Sequence, residues 1–472
     1  MNSQIDLISV SPLLFLTVLS FLLLISATLS KKSEVGGFWL SVAGLVSGII
    51  LSAVVIFHRS EAFPSMLTAG GFGNFFNVIF LFSALITILL SHDYIRKTHT
   101  DFGEFYLLII LAVIGMMLMA SSADLIVVFL GLELMSICLY VLVGFFRKKI
   151  KSNESSFKYF LLGAFATGFL LYGIALIYGA AHTTNIHQIS TLIPQLITSK
   201  LFYAGMGLLL IGLAFKVAAV PFHMWVPDVY EGAPTTITGF MSTGAKAAAF
   251  AALILVFATP LVPMQNLKTA IAVVAAASMI LGNIVAISQS NIKRMLAYSS
   301  VAHAGYMLVG LAAMNALGRS GIIYYIAAYA VMNLGAFGII SLLEGDGERD
   351  LQIESYAGLA SKKPFLAAMM AIFMLSLSGL PPFGGFFGKY YIFLAALNAQ
   401  LTWLAILAVL TSVIGVYYYL RVVVLMYFRE GGMEAAIKPS SYGVAAIVLS
   451  AIAIVYLGVF PAPVLSVIQR LF

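Results

Sequence analysis

The sequence predicts an all-α polytopic membrane protein of about fourteen transmembrane helices, with two inverted five-helix repeats in which helices 7 and 12 are broken. Three observations carry this. Apolar residues make up 62% of the 472 residues and charged residues 9%, with a mean hydropathy of +1.05. The apolar residues fall in runs of the length that crosses a hydrocarbon core, about 20 residues. Proline and glycine interrupt two of those runs at corresponding places. No soluble chain of this size hides so much apolar surface in its own core.

In order, the spans read Val10–Ser30, Gly37–Phe57, Phe75–Ser91, Phe105–Ala120, Asp124–Phe146, Ser156–Ala180, Leu201–Val220, Pro234–Thr259, Leu267–Ser288, Ile292–Ala313, Gly321–Leu343, Pro364–Phe393, Leu401–Tyr427 and Tyr442–Val459. They are numbered 1 to 14. The first reads as a span rather than a cleaved signal, because Ser11 to Ser30 is too long for a signal core and no basic segment precedes it.

The distribution of Lys and Arg supports the count. Fifteen lie in the odd-to-even loops: Lys31, Lys32, Arg96, Lys97, Arg147, Lys148, Lys149, Lys151, Lys293, Arg294, Arg349, Lys362, Lys363, Arg429 and Lys438. Five lie on the opposite face: Arg59, Lys200, Lys268, Arg319 and Arg470. Positive residues favour cytoplasmic loops, so both termini are expected outside the cytoplasm. The net charge of +7 therefore reads as topology, not as a nucleic-acid surface.

Tyr140 to Gly144 in span 5 matches Tyr306 to Gly310 in span 10 at an offset of 166. The same offset relates the region of Lys216 and Pro221 to that of Pro381 and Pro382. Five spans, an odd number, separate the matched elements, so the two units are inverted. The expected organisation is one membrane domain with helices 1–3 (residues 1–103), a first repeat (104–260), a second repeat (261–430) and a last helix (431–472).

The chemistry lies in charges within the spans: Glu133, Lys158, Lys216, Lys246, Lys389 and Arg421. A charge at mid-bilayer costs at least about 2.5 kcal/mol, so such groups mark ion or proton pathways by default. Pro221 should break span 7, with Lys216 five residues before it and His223 two after. Glu133, the only acid in the middle of a span, reads as the partner of Lys216. Two charges about 4 Å apart attract by roughly 4 kcal/mol at an effective dielectric of 20. That attraction opposes the desolvation of Lys216, so a small movement of Glu133 would decide its protonation.

Lys246 sits at the centre of span 8 among small residues, and Lys389 follows the Pro381–Pro382 break of span 12. His303, with Ser299, Ser300, Tyr298 and Tyr306 close in sequence, reads equally as a core residue or a relay. Lys158 reads as snorkelling or relay. Arg421 holds its proton and reads as structural or lipid-facing. Single Cys138 excludes a disulfide framework, and no Walker, dinucleotide, nucleophile-elbow or metal motif is present. No cofactor is expected on the chain.

The segments FLGLELMSICLYVLVG, AFKVAAVPFHMWVPDVYEGAPTTITGFMSTGAKAAAF, KRMLAYSSVAHAGYMLVG and LSLSGLPPFGGFFGKYYIF resemble the antiporter-like subunits of respiratory complex I. The resemblance covers nearly the whole chain and is strongest from Asp124 to Tyr427. Lys389, where the M branch tends to carry Glu, and the chain's end soon after span 14, where the L branch continues, favour the N branch. The family has fourteen helices with inverted repeats at spans 4–8 and 9–13. The resemblance places the family's channel acid on Glu133, its broken-helix Lys on Lys216, its central Lys on Lys246 and its exit Lys on Lys389; Lys158 matches a recurrent family Lys.

It implies proton pumping driven by electron transfer in other subunits, which hold FMN, Fe–S clusters, NADH and a quinone. Implied partners are antiporter-like subunit M, small membrane subunits and lipids, in a bacterial inner membrane. An Mrp-type cation/proton antiporter subunit is the alternative. A nutrient permease would need a substrate-sized cavity, which the spread of lysines argues against. A purely structural subunit would tolerate neutralising Glu133 and Lys216 together.

Overall fold

A computed structural model describes residues 7–29, 33–58, 60–63, 65–97, 103–258, 265–344, 348–431 and 440–471. Of the loop cations, Lys31, Lys32, Arg59 and Lys438 lie outside these residues. Twelve described helices are long and apolar enough to cross a bilayer, and two shorter apolar helices, Glu104–Ala120 and Pro364–Ser378, complete the fourteen. The ends of spans 3 and 6 run past the apolar runs, to Gly71–Lys97 and Ile150–Ala181, because the helical hydrogen-bond ladder continues into polar residues. The all-α reading has one small exception, a hairpin of Ser60–Phe63 and Leu67–Ala69 between spans 2 and 3. Short α-helices outside the spans include Ile186–Leu196, Leu359–Lys362 and Pro461–Gln469.

Small residues set the tightest crossings. A Cβ on Gly115 of span 4 would meet the Gly131 carbonyl oxygen of span 5 at 2.6 Å. A Cβ on Gly282 of span 9 would meet the Ala302 nitrogen of span 10 at 2.6 Å. Without a hydrophobic force between helices in lipid, such close backbone approach supplies the packing.

Spans 7 and 12 are interrupted as the prolines predict, but earlier. Span 7 is helical over Lys200–Val217 and resumes as Trp225–Gly232. Lys216 therefore lies in the last helical turn, not five residues short of the break. The chain leaves the helix at left-handed Ala218 (φ 66°), three residues before Pro221. Span 12 ends at Ser378, turns at Gly379 (φ 84°) and resumes as Gly384–Asn398.

Span 8, Thr235–Ala258, is one helix carrying π-helical turns at Met241–Ala245 and Ile254–Ala258. Span 10, Ile292–Ala313, and span 11, Ala316–Leu343, are buried along nearly their whole lengths. Span 11 packs against spans 3, 8, 10, 12 and 14 and forms the central post. The outer spans 1, 6 and 13 expose apolar side chains.

Candidate functional site

The break in span 7 places Lys216 against span 5. Its side chain is 6% exposed, and its ammonium donates to Ser136 Oγ at 2.8 Å and to Tyr140 Oη at 3.4 Å. The rings of Tyr140, Tyr159 and Phe215 surround it with centroids at 5.4, 5.4 and 5.7 Å. Aromatic faces attract a desolvated cation and offset part of its burial. Trp225, in the resumed segment, stacks on Tyr159 at 4.5 Å and closes this cage.

The expected Glu133–Lys216 ion pair is not formed. Glu133 acts on Lys216 only through space, and its Oε1 is buried without a hydrogen-bond partner. Ser136 and Tyr140, one and two helical turns along the same side of span 5, take the ammonium instead of Glu133. His223 is half-buried on the break and makes no hydrogen bond to Lys216. Pro221, Pro381 and Pro382 all lie within the irregular segments.

Lys246 follows a π turn at mid-membrane and is 2% exposed. Its ammonium donates to the Ser300 carbonyl at 2.7 Å and to Ser300 Oγ. Tyr329 lies 5.7 Å away as a cation–π partner, and Asn333 donates to Tyr329 Oη at 3.1 Å and to Ser242 Oγ at 2.7 Å. Ser299, beside Ser300, hydrogen-bonds Tyr419 of span 13. Tyr419 Oη lies 2.9 Å from His303 Nε2, and Tyr325 Oη lies 2.7 Å from His303 Nδ1. A neutral imidazole accepts on one nitrogen and donates from the other, so this geometry suits a relay. His303 has both ring nitrogens engaged, as a satisfied core histidine also would.

Lys389 completes the row. It is 5% exposed and donates to the Ser378 carbonyl and Ser412 Oγ, both at 2.9 Å, with Tyr306 5.0 Å below its ammonium. Tyr306 packs edge-on to His303 at 5.9 Å and accepts from Asn283 Nδ2 at 3.0 Å. Thus the structure brings Lys246, His303, Tyr306 and Lys389 together. Tyr298 is outside this group: it is only partly buried, and its hydroxyl makes no hydrogen bond among the described residues.

Lys158 and Arg421 are both ion-paired, and Lys158 is tied into a cluster. Lys158 pairs with Glu154 at 2.6 Å and Asp228 at 3.1 Å. Asp228 also pairs with Arg294 at 2.9 Å, and Arg294 with Glu231 at 2.8 Å, so the cluster ties the resumed part of span 7 to spans 6 and 10. Burial alone would raise the Asp228 carboxyl, but the hydrogen bonds from Arg294 and Lys158 outweigh it and hold it below the ordinary carboxylate value. Arg421, two turns from the end of span 13, takes the structural of its two readings: it pairs with Glu354 at 3.2 Å and donates to the Gln289 carbonyl at 3.4 Å. Lys293, counted among the loop cations, is 1% exposed. Among the described residues no group of three or more His, Cys, Asp or Glu side chains has metal-binding geometry.

Buried lysines joined by hydroxyls and an imidazole, inside a bundle with two broken helices, define an antiporter-like membrane subunit. A family model described as NADH:quinone oxidoreductase/Mrp antiporter, TM matches residues 122–415. NADH-quinone oxidoreductase subunit N of Trichlorobacter lovleyi is 46% identical over 474 residues, covering 99% of this chain and 97% of that protein. A solved chain of respiratory complex I from Thermus thermophilus, with bound aureothin, is 34% identical with a TM-score of 0.83, covering 96% of this chain and 98% of that one. The Mrp complex of Dietzia shares the fold at 20% identity and a TM-score of 0.82, covering 98% of this chain and 96% of that one. The chain belongs to the NADH-quinone oxidoreductase subunit N family.

Proposed function

We propose that this chain is a proton-translocating subunit in the membrane arm of an NADH:quinone oxidoreductase, working beside subunit M and smaller membrane subunits. NADH oxidation and quinone reduction take place on other subunits, which hold FMN and Fe–S clusters. The membrane is a bacterial inner membrane, with both termini on the side away from the basic loops. Residues 104–260 and 261–430 act as two inverted half-units, and the single chain carries the translocase step without redox chemistry of its own.

The observation that supports this best is the buried row from Lys246 through Ser300, Ser299, Tyr419 and His303 to Tyr306 and Lys389. A conformational or charge change in a neighbouring subunit alters the surroundings of Glu133. Glu133 in turn biases Lys216 through space, and the proton balance of Lys216 biases Lys246. Lys246 then exchanges with Lys389 through the His303 hydroxyl network. The experiment is Lys246→Ala in the assembled enzyme: protons pumped per NADH should fall while NADH oxidation by the peripheral subunits persists. Unchanged pumping overturns the reading.

A further inference from the structure

Lys293 stands in the first turn of span 10, where Asn291 caps the helix by accepting from the backbone nitrogens of Lys293 and Arg294. A helix N-terminus carries partial positive charge and disfavours a cation. Even so, a 1%-exposed ammonium is held there. Its one hydrogen bond is to the Ala233 carbonyl at 2.7 Å, and it forms no ion pair among the described residues. Its neighbour Arg294, by contrast, is fully paired with Asp228 and Glu231. A structural tether to one carbonyl needs a donor but no charge.

Lys293 lies on the floor of a polar cleft where the 5–6, 7–8, 9–10 and 11–12 connections meet, lined also by Lys149, Lys151, Glu231 and Glu344. The cleft thus sets two acids and two further lysines around the Lys293 ammonium. Inward from it on span 10, two helical turns and about 10 Å away, lies Ser300, the residue that holds Lys246. Fully buried Ala297 between them leaves the helix face small. Tyr230 also lies close to Ser300, and it belongs to the same short segment whose following residue, Ala233, binds Lys293.

We propose that Lys293 is the group that collects protons from the basic-face cleft and delivers them to Lys246 by way of Tyr230 and Ser300. This rests on the reading of the chain as a proton-translocating subunit. Neutral Lys293 takes a proton from hydronium in the cleft, leaving water. Its ammonium returns a proton to the hydroxyl chain, each hydroxyl accepts one proton and releases its own, and neutral Lys246 becomes the ammonium. No other bond changes.

The test uses the assembled complex in inverted membrane vesicles, with Lys293→Arg, Lys293→Met and, as reference, Lys246→Ala. Arginine keeps the charge and a donor for Ala233 but does not release its proton. Both Lys293 variants should lower the NADH-driven rate of proton uptake about tenfold. Normal uptake in Lys293→Arg overturns the proposal, because a tether or fixed charge then suffices. Where Arg does not fit and assembly falls, Lys293→Ala with added ethylamine decides: uptake restored with rising amine supports the proposal, and no restoration overturns it. Impaired Lys246→Ala with normal Lys293 variants removes this inference alone, whereas normal Lys246→Ala removes the functional reading beneath it.

Discussion

The ammonium of Lys216 rests on Ser136 at 2.8 Å, while Glu133, three residues earlier on the same helix, keeps one carboxylate oxygen buried and unbonded. The hydroxyl holds the lysine in place, and the acid acts on it at a distance. The two roles can be separated by mutation. A hydrogen bond to a charged group contributes about 1.5–3 kcal/mol. Ser136→Ala should therefore lower proton pumping several-fold with normal assembly, and Ser136→Thr should retain it. Equal pumping in both variants would show that the cage of rings alone holds Lys216.

Tyr419 hydrogen-bonds both Ser299 and His303, so its hydroxyl bridges the surroundings of Lys246 and the imidazole. Tyr419→Phe keeps the ring and removes the bridge. The expected outcome is about a tenfold loss of pumping with unchanged complex yield on native gels. Lost yield with unchanged pumping in the remaining complex would mean that Tyr419 serves packing.

Span 14 clamps the break of span 12. A Cβ on Gly458 would meet the Pro382 carbonyl oxygen at 1.8 Å, a backbone atom with nowhere to go. Overpacking of this kind costs about 1–3 kcal/mol or more. Gly458→Ala should lower the thermal stability of the complex measurably. Gly207→Ala, with nothing within 4 Å of the added carbon, should not.

Asp228 gives the fold an acid-sensitive tie. Its carboxyl is held below the ordinary value by Arg294 and Lys158. A depressed carboxyl adds stability at and above the unfolded-state pKa, and that contribution fades as pH falls through the lower folded value. At 41% side-chain exposure the effect is modest, because solvent screens it. Thermal melts of the detergent-solubilised protein should lose stability on acidification, and Asp228→Asn should flatten that dependence. Identical pH profiles for the two proteins would show that the cluster contributes nothing.

The fourteen spans were legible because hydrocarbon imposes a minimum apolar length, and the breaks because proline cannot donate in a helix. The buried lysines stood out against apolar neighbours for the same reason. Their partners did not. Ser136 meets Lys216 across 80 residues, and Tyr419 meets His303 across 116. Serine and tyrosine are too common for either to announce itself. The same holds for Glu133, whose helix face meets Lys216 through Ser136 and Tyr140, one and two turns further on, and not through the acid itself. Lys293 was sorted by its place at the end of a span, and Lys158 and Arg421 by the apolar residues beside them, whereas their partners, Ala233, Asp228 and Glu354, come from segments distant in sequence.

Span 11 meets no lipid, and that frees it from matching the oil around the protein. It accordingly carries Tyr324, Tyr325, Tyr329 and Asn333, while the greasiest side chains are turned outward on span 6. Hydroxyls, an amide and lysines are thus gathered at the axis, within an otherwise apolar core. A substitution that harms an aqueous protein's surface least would here do the most damage, since the axis is where wet chemistry is sheltered.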